Sequence, residues 1–413
     1  MLRESGKPHL PNVPRYALRN TSGFHFLFPF HYALPVSSQF DVIIVGLGAM
    51  GSAAAYHLAR RGRRVLGLDR FSPPHTMGSS HGQTRIIREA YFEHPVYVPM
   101  VQRAYVLWDE LARAENTPLL LQTGGLMIGA PDSIVFTGAK RSADTHRLPH
   151  EVLTAGEVRK RFSVLHPDEE MMAVLEPRAG ILFPERCIAA HFALAVRHGA
   201  NLRVEEPIMR WNATGHGVEV TTARGTYRAG QMILSAGSWA RELLPDLNPP
   251  LVVERQVLYW FEPNASPKLF YPEHCPIHLW QVGDGEERKF FYGFPDLGDG
   301  VKVAGHHDGV TVSPDFVSRE VTPAEVDAMR ALLRRYLPQA EGRLRSATVC
   351  LYTNTPDEHF WIDRHPAHPQ VIIVSPCSGH GFKFSSAIGE ILSDLAIDGR
   401  SQFDLNLFRN RWK

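Results

Sequence analysis

The sequence lacks any concentration of charge of one sign. Its 413 residues contain 44 Lys and Arg against 43 Asp and Glu, and neither sign forms a run. Proteins that bind nucleic acid or anionic membranes usually carry a basic patch or stripe, so neither partner is expected here. Repeats and low-complexity tracts are missing too. The expected partner is a small molecule, and the length predicts two or three domains or one large interrupted domain.

Cysteine is scarce. Four residues, Cys187, Cys275, Cys350 and Cys377, are widely spaced and form no CxxC pair. This spacing argues against a disulfide scaffold and against a structural zinc site, and it predicts no metal. A reducing, cytoplasmic setting is expected.

A long apolar run near the start is also missing. Four basic residues, Arg3, Lys7, Arg15 and Arg19, precede an aromatic stretch at residues 24–36 that His and Pro interrupt. The stretch is too short and too polar to span a bilayer, and it lacks the clean apolar core and small-residue cleavage site of a signal peptide. Residues 1–39 are therefore expected to be a disordered or loosely docked extension, or to follow from a start site placed too far upstream.

What is present is a dinucleotide-binding pattern. Residues 40–46 form a short β-branched run, 49–61 form an Ala- and Leu-rich helical segment that ends before Gly62, and 64–69 form a second apolar run. These segments predict a βαβ unit whose strands are buried on both faces. The order of strand, turn and helix is the context that a glycine-rich phosphate loop requires.

The glycine-rich turn of this unit has the spacing GxGxxG. Gly46 is expected to make the tight turn, Gly48 to let a pyrophosphate approach the backbone, and Gly51 to allow close packing of helix on strand. Asp69, at the end of the second strand, can hold a ribose hydroxyl. The motif by itself does not separate FAD from NAD.

The remaining pattern predicts an α/β fold: a discontinuous Rossmann-type dinucleotide-binding domain with a second, mostly antiparallel-sheet α+β domain for the substrate. Apolar runs at 202–204, 232–235 and 371–374 are expected to complete the parallel sheet, and runs at 252–261, 290–294 and 301–305 to form the antiparallel one. Helices are predicted after the capping box Thr154–Glu157, over 184–199, over 324–336 and over 384–397. The predicted boundaries are 40–85, 150–249 and 345–413 for the first domain, and 86–149 and 250–344 for the second.

Four further blocks carry a resemblance to a known family. They are residues 73–88 (PPHTMGSSHGQTRIIR), 291–295 (FYGFP), 349–360 (VCLYTNTPDEHF) and 378–384 (SGHGFKF). In this order, after the glycine-rich turn, they resemble the family of monomeric sarcosine oxidase, N-methyltryptophan oxidase and pipecolate oxidase. The resemblance runs from about Phe40 to the C-terminus. It implies a flavoenzyme with covalently attached FAD.

The resemblance assigns the flavin attachment to Cys350. Taken alone, this cysteine in a strand-like stretch would be an ordinary buried apolar residue. A thioether to the flavin would hold the ring in place and make it electron-poor, which favours hydride acceptance. The same resemblance implies that Gly379, His380 and Gly381, before the last helix, lie close to the flavin, and Arg88 is also expected to contact the cofactor.

The resemblance also implies the residues of the substrate site. Arg85 and Lys383 would grip the substrate carboxylate, Arg85 through its two-pronged guanidinium and Lys383 as a point charge. Lys302 would assist oxygen and His306, four residues later on the same strand face, would lie by the amine. Tyr292 and Tyr352 would line the pocket. Leu279 and Trp280, near the expected pocket wall, receive no assignment.

The implied reaction is oxidation of a secondary amino acid by O2. An N-methyl or cyclic amino acid would give two electrons to FAD, the imine would hydrolyse, and O2 would leave as hydrogen peroxide; sarcosine would yield glycine and formaldehyde. Residues 73–76 look closer to sarcosine oxidase, whereas 78–83 and 306–307 look closer to pipecolate oxidase. N-methyltryptophan is a further alternative. A monomer is expected.

Two other classes remain open from the residues alone. An NAD-dependent dehydrogenase would use the same glycine-rich unit, and a flavin-bearing assembly protein would keep the FAD motifs without turnover. The presence of the basic and aromatic residues assigned to the pocket weighs against the second class.

Overall fold

The computed structural model describes residues 40–409, so the predicted extension of residues 1–39 lies outside the described residues. The α-helices of this part are α1 (Ala49–Arg60), α2 (Tyr97–Ala114), α3 (Ile134–His146), α4 (Ala155–Arg161), α5 (Pro184–Arg197), α6 (Pro323–Tyr336) and α7 (Ser385–Ile397). The strands are β1 (Phe40–Val45), β2 (Val65–Leu68), β3 (Arg85–Ile87), β4 (Leu120–Gln122), β5 (Gly125–Gly129), β6 (Glu151–Thr154), β7 (Met172–Glu176), β8 (Gly180–Leu182), β9 (Asn201–Arg203), β10 (Ile208–Thr214), β11 (Gly217–Thr222), β12 (Gly225–Leu234), β13 (Val252–Phe261), β14 (Ile277–Val282), β15 (Lys289–Phe294), β16 (Val301–His306), β17 (Val310–Thr311), β18 (Leu344–Asn354), β19 (Trp361–Arg364) and β20 (Val371–Ser375).

The first sheet has a parallel centre in the order β9-β2-β1-β12-β20, and β10, β11 and β19 extend it in antiparallel fashion. Strands β1, β2 and β20 are almost entirely buried, as expected of apolar runs covered on both faces. The predicted parallel sheet, assembled from segments far apart in the sequence, is confirmed. In open sheets of this kind, ligands bind beyond the carboxyl ends of the parallel strands.

Helices α1, α5 and α7 pack together beside this sheet, and their apolar residues share one core. The closest approach is at Gly389 of α7, where an added Cβ would lie 2.6 Å from Ala53 of α1. The longest helix, α2, joins them through an ion pair between Arg103 and Glu390. This helix was not predicted from the sequence, and Val96, the residue before it, offers no side-chain cap that would have signalled its start.

The second sheet runs β17-β13-β16-β15-β14-β5-β7-β6, with β18 on the other side of β13. All its pairs are antiparallel except β5 with β14. Strands β13 and β18 pair from Val252 with Asn354 to Phe261 with Leu344. The mostly antiparallel second sheet is thus confirmed, and α6 packs on its core through residues such as Met329 and Leu333.

Three strands of the second sheet lie in segments that were predicted to belong to the first domain. Strands β6 and β7, which lie within residues 150–249, and β18, which opens the segment 345–413, are all part of the second sheet. Helix α2 lies in residues 86–149, which were predicted to belong to the second domain. It packs on α7, one of the helices beside the first sheet. Short apolar strands do not reveal which sheet they join, because pairing partners lie far away in the chain, and the domain boundaries at residues 150 and 345 stay a prediction.

The helices that the sequence predicted are present, whereas α2 and α3 were not predicted. Capping boxes form at Thr154 and Thr322, and Gly62, with a φ of +74°, follows the end of α1. The last helix begins at Ser385 rather than at Phe384, because Phe382–Phe384 form a 3₁₀ turn before it. No helix within residues 40–409 combines the length and apolar character needed to cross a membrane.

Candidate active site

A large cavity opens at the carboxyl ends of β1, β2 and β12. It encloses about 1380 Å³ including its open mouth, and its walls include Gly46, Gly48, Asp69, Ser235 and Trp239. Helix α1 begins at this cavity with Gly48 as its N-cap and without a side-chain capping bond. Its first N–H groups and the positive end of its dipole are therefore available to an anion.

The three glycines of the turn play distinct steric roles. Gly46 has a φ of +91°, which only glycine adopts without strain. A Cβ on Gly51 would lie 1.7 Å from the carbonyl oxygen of Gly46, so helix and strand could not approach as they do. A Cβ on Gly48 would have no described atom within 4 Å, because this residue faces the cavity. The roles predicted for a phosphate loop match these positions.

Asp69 lines the same cavity but is already engaged with the backbone. Its carboxylate accepts the N–H groups of Leu47 at 2.6 Å and Phe71 at 2.7 Å. Burial raises the pKa of Asp69, and these two bonds oppose that rise. The carboxylate thus fixes the glycine-rich turn to the end of β2, and the predicted ribose contact would use its remaining lone pairs.

A second cavity adjoins the first and shares five wall residues with it: Ala49, Met50, Ser79, Ser80 and Cys377. It encloses about 830 Å³ including its mouth. The predicted site residues that line it are Arg85, Arg88, Tyr292, His306, Tyr352, Gly379, His380, Gly381 and Lys383. The fold thereby brings together most of the residues that the sequence singled out, from β3, β15, β16, β18 and the 3₁₀ turn before α7.

One end of this second cavity holds Lys383 and Arg88. The ammonium of Lys383 donates to the carbonyl of His380 at 2.7 Å, and burial with nearby Arg88 lowers its pKa to about 7. Arg88 is only 1% exposed and donates to both oxygens of Glu93 at 2.8 Å. Burial raises the pKa of the Glu93 carboxyl, but the positive charge of Arg88 opposes burial. The pKa of Glu93 is therefore lower than its usual value. This end is a buried, positively charged subsite.

Arg85 lies at a different end. Its guanidinium donates to the carbonyls of Thr84 at 2.8 Å and Ser79 at 2.7 Å, and it lies 3.4 Å from the sulfur of Cys350. The structure therefore places Lys383 near Arg88, although Arg88 was predicted to contact the cofactor. Arg85 was predicted to bind the substrate carboxylate together with Lys383, but it lies beside Cys350, the predicted site of flavin attachment.

Cys350 and Lys302 do not line either of these cavities. Cys350 is 1% exposed, between Ser79 and Arg85. The ammonium of Lys302 donates to the carbonyls of Gly82 at 2.7 Å and Thr84 at 2.9 Å and to the hydroxyl of Thr84 at 2.9 Å. Burial lowers the pKa of Lys302 well below its usual value.

Lys302 reaches a separate outer cavity instead. Its ammonium lies 4.7 Å from the ring centre of Phe294, and Phe294 forms a wall of both the outer and the second cavity. The same-face spacing of Lys302 and His306 on β16 was read from the sequence, but only His306 reaches the second cavity.

The middle of the second cavity is lined by neutral polar side chains. His306 Nδ1 lies 3.3 Å from the hydroxyl of Tyr352. Burial lowers the pKa of His306 well below its usual value and raises those of Tyr352 and Tyr292. All three side chains are thus uncharged at neutral pH. Gly379, with a φ of +74°, allows the close approach: a Cβ there would lie 2.5 Å from the ring of Tyr352.

Leu279 and Trp280, the two residues without a predicted role, lie in different surroundings. Leu279 lines the second cavity. Trp280 does not: it is fully buried in the core of the second sheet, where its ring stacks on Phe291 at a centroid distance of 5.4 Å. Neighbours in a strand point to opposite faces, which explains the difference.

Three potential metal ligands, Asp246, His365 and His368, meet elsewhere. Nδ1 of His365 accepts the N–H of Ala367 at 3.2 Å, so the proton of the neutral ring is on Nε2. Nε2 lies 3.0 Å from Asp246. The neighbours of His365 account for this group as a His–Asp contact, and the expectation of no metal stays a prediction.

Comparison with known proteins decides the family. Residues 41–395 match the family described as DAO, FAD dependent oxidoreductase. The chain belongs to this family. The glycine-rich turn was compatible with either NAD or FAD, and the family match decides for FAD.

Within the FAD-dependent oxidoreductases, the chain lies with the predicted group. It is 46% identical to monomeric sarcosine oxidase of Streptomyces avermitilis over 381 residues, which cover 91% of this chain and 98% of the relative. It is 34% identical to N-methyl-L-tryptophan oxidase of Salmonella heidelberg over 90% of this chain and 98% of that one. The predicted resemblance is confirmed.

Solved structures support the fold. NikD, an unusual amino acid oxidase essential for nikkomycin biosynthesis, matches with a TM-score of 0.79 at 25% identity, over 90% of this chain and 98% of that one. Glycine oxidase from Geobacillus kaustophilus matches with a TM-score of 0.75 at 19% identity, over 91% of this chain and all of that one. The second likeness concerns the fold alone.

The cavities of this FAD-dependent oxidoreductase suit the cofactor. The first offers an uncapped helix N-terminus and a glycine facing open space, and its shared walls continue into the second. Sequence reasoning missed several wall residues, among them Met50, Glu93 and Phe294. Phe294 lies in a block that was quoted for the resemblance, but a phenylalanine in a strand carries no signal that separates core from cavity wall.

Replacing two of the turn glycines separates cofactor binding from folding. Gly48→Ala should leave the free energy of unfolding of the flavin-free protein within about 0.5 kcal/mol of the wild type, since the methyl group meets only the cavity. It should reduce the bound flavin. Gly51→Ala should destabilise the flavin-free protein itself by about 1–3 kcal/mol or prevent folding. Denaturant unfolding and flavin content check both; equal effects of the two variants would contradict the assignment.

Proposed function

We propose that the protein oxidises a secondary amino acid with O2, with sarcosine as the first candidate, to give glycine, formaldehyde and hydrogen peroxide. The observation that carries the proposal is one cavity in which a buried cationic subsite adjoins neutral His and Tyr side chains and continues into the FAD-binding cavity. The higher identity to monomeric sarcosine oxidase, 46% against 34% for N-methyl-L-tryptophan oxidase, favours sarcosine.

Lys383 and Arg88 grip the substrate carboxylate in this proposal. They share the end of the cavity, and Arg88 presents a guanidinium that suits a carboxylate. The positive charge is only partly balanced there, because Glu93 is the one carboxylate among residues 40–409 that lines this cavity. Arg85 is assigned to the cofactor side instead, since its contacts are Ser79, Thr84 and Cys350.

The middle of the cavity then receives the amine. Burial keeps His306 neutral, so it can accept a hydrogen bond from an amine without repelling a positive charge. The aromatic walls of Tyr292, Tyr352 and Phe294 exclude water from the reacting carbon. Bound FAD supplies the two-electron acceptor that O2 later reoxidises. Lys302 would assist O2 through its positive charge, although its three donors are directed at Gly82 and Thr84.

The covalent attachment is proposed at Cys350. Its sulfur lies 3.4 Å from the guanidinium of Arg85, which would stabilise a negative charge on the sulfur, and Cys350 would hold the flavin by a thioether. The rival is Cys377, which lines both cavities but whose thiol pKa burial raises to about 12. None of the four cysteines forms a disulfide in the described part of the chain, which supports a reducing, cytoplasmic setting. A monomer is also proposed.

A peroxide assay tests the reaction. The purified yellow protein should produce hydrogen peroxide with sarcosine. The rates of peroxide formation with pipecolate, N-methyltryptophan and proline rank the alternative substrates. N-methylpropylamine, a secondary amine without a carboxylate, is the control and should react poorly, because Lys383 and Arg88 would have no partner. Flavin-containing protein that is silent with all four amino acids would rule out the proposal.

The assignment of the two arginines is tested by a matched pair. Arg88→Gln should raise the KM for sarcosine by about tenfold or more, since a charge-assisted hydrogen bond contributes about 1.5–3 kcal/mol. Arg85→Gln should change KM less and mainly lower the fraction of covalently bound flavin. Steady-state kinetics and acid precipitation measure the two effects, and a larger KM effect from Arg85→Gln would reverse the assignment.

The attachment site is tested by acid precipitation. Wild-type protein should keep its yellow colour in the pellet, and Cys350→Ser should release it to the supernatant because an ether is not formed in place of the thioether. Cys377→Ser is the matched control and should behave like the wild type. Colour released from the wild type would exclude a covalent link, and release from Cys377→Ser alone would move it to that residue.

A further inference from the structure

Tyr91 contacts three of the basic side chains that line the second cavity, although it does not line that cavity itself. Its ring centre lies 4.3 Å from the guanidinium carbon of Arg88 and 5.2 Å from the ammonium of Lys383. Its hydroxyl lies 2.6 Å from Nδ1 of His380 and 3.4 Å from Lys383 Nζ. Tyr91 is therefore the common neighbour of the cationic subsite and of the histidine beside it.

The direction of these hydrogen bonds follows from the tautomer of His380. Nε2 of His380 lies 3.0 Å from the carbonyl of Glu358, which can only accept, so Nε2 carries the ring proton. Burial keeps the ring neutral by lowering its pKa to about 3. Nδ1 is then an acceptor, and the single proton of the Tyr91 hydroxyl is donated to it. The oxygen lone pairs of Tyr91 are left for the ammonium of Lys383.

The position of Tyr91 is fixed from several sides. Its side chain is completely buried, and its backbone carbonyl accepts the hydroxyl of Ser142 at 2.5 Å. Its ring packs against Tyr97 at 4.8 Å and edge-on against Phe384 at 5.1 Å between centroids. A side chain held in this way offers its hydroxyl oxygen in one fixed direction.

We propose that Tyr91 is a positioning residue that holds the ammonium of Lys383 in place, and in its charged form, for the carboxylate of the substrate. The proposal rests on the proposed function only in that a carboxylate must bind at this subsite. Its chemistry is general: a buried ammonium needs acceptors, and the face of an aromatic ring attracts cations. Tyr91 supplies both to Lys383.

The charges around Lys383 set the sign of the expected effect. The buried position and Arg88 disfavour the charged form of Lys383, and Glu93 favours it. His306 and His380 are neutral neighbours. Without the Tyr91 hydroxyl, Lys383 keeps the carbonyl of His380 as its remaining described acceptor. The ammonium of Lys383 then loses its proton more easily. As the pH rises, carboxylate binding should therefore disappear at a lower pH than in the wild type.

The experiment uses the flavin-containing protein and acetate, a carboxylate without an amine. Acetate affinity is measured against pH from the change in the flavin spectrum. In Tyr91→Phe, affinity should fall severalfold at neutral pH, and the pH at which it is lost should move down, while kcat at saturating sarcosine changes less than KM. Tyr97→Phe is the matched control: it removes a buried hydroxyl whose described bonds are to His359 and Phe360, and it should behave like the wild type.

A second pair of variants tests the same contact from the side of the lysine. Arginine stays charged over the accessible pH range, so in a Lys383→Arg background Tyr91→Phe should no longer move the pH dependence. Unchanged acetate affinity and pH dependence in Tyr91→Phe, equal losses in Tyr91→Phe and Tyr97→Phe, or the same pH shift in the Lys383→Arg background would each overturn the proposal. Absence of acetate binding to the wild type would overturn it too, whereas the peroxide assay judges the proposed reaction separately.

Discussion

Positive charge buried around a cavity is the constraint on which the rest of this site depends. A cation removed from water is costly unless acceptors or opposite charges replace its hydration. Arg88 has both oxygens of Glu93, Lys383 has the carbonyl of His380, and Arg85 has backbone carbonyls. These partners balance the cations only in part, which leaves the cavity prepared for an anion. Substrate binding and cofactor placement both follow from where this charge lies.

The fold creates this arrangement by bringing distant segments to one edge. The carboxyl ends of β1, β2 and β12 form the FAD side, and β15, β16 and β18 of the second sheet form the opposite wall. The cationic subsite lies where β3 and the turn before α7 meet, so it belongs to neither sheet alone. Arg88 directly follows β3, and Lys383 lies in the 3₁₀ turn directly before α7, so both charged groups are held next to regular elements.

Much of this could be read from the sequence, because its signals are local. The glycine-rich turn, the capping box at Thr154 and the apolar strands are each specified within a few residues, and the structure has them where they were expected. The family blocks extended the reading to the cofactor, which the family match bears out. The sequence did not show that β6, β7 and β18 join the second sheet, because strand pairing depends on partners that no local pattern identifies.

The sequence by itself determined the dinucleotide-binding unit, the family and the set of residues from which the site is made. Only the tertiary structure decided which of them act together: that Lys383 lies with Arg88 rather than with Arg85, that Lys302 faces an outer cavity, and that Tyr91 joins the cationic group. The reason is physical. Tyr91 and Lys383 are 292 positions apart in the chain, and they meet only because the segment before α2 and the turn before α7 come together in the folded chain.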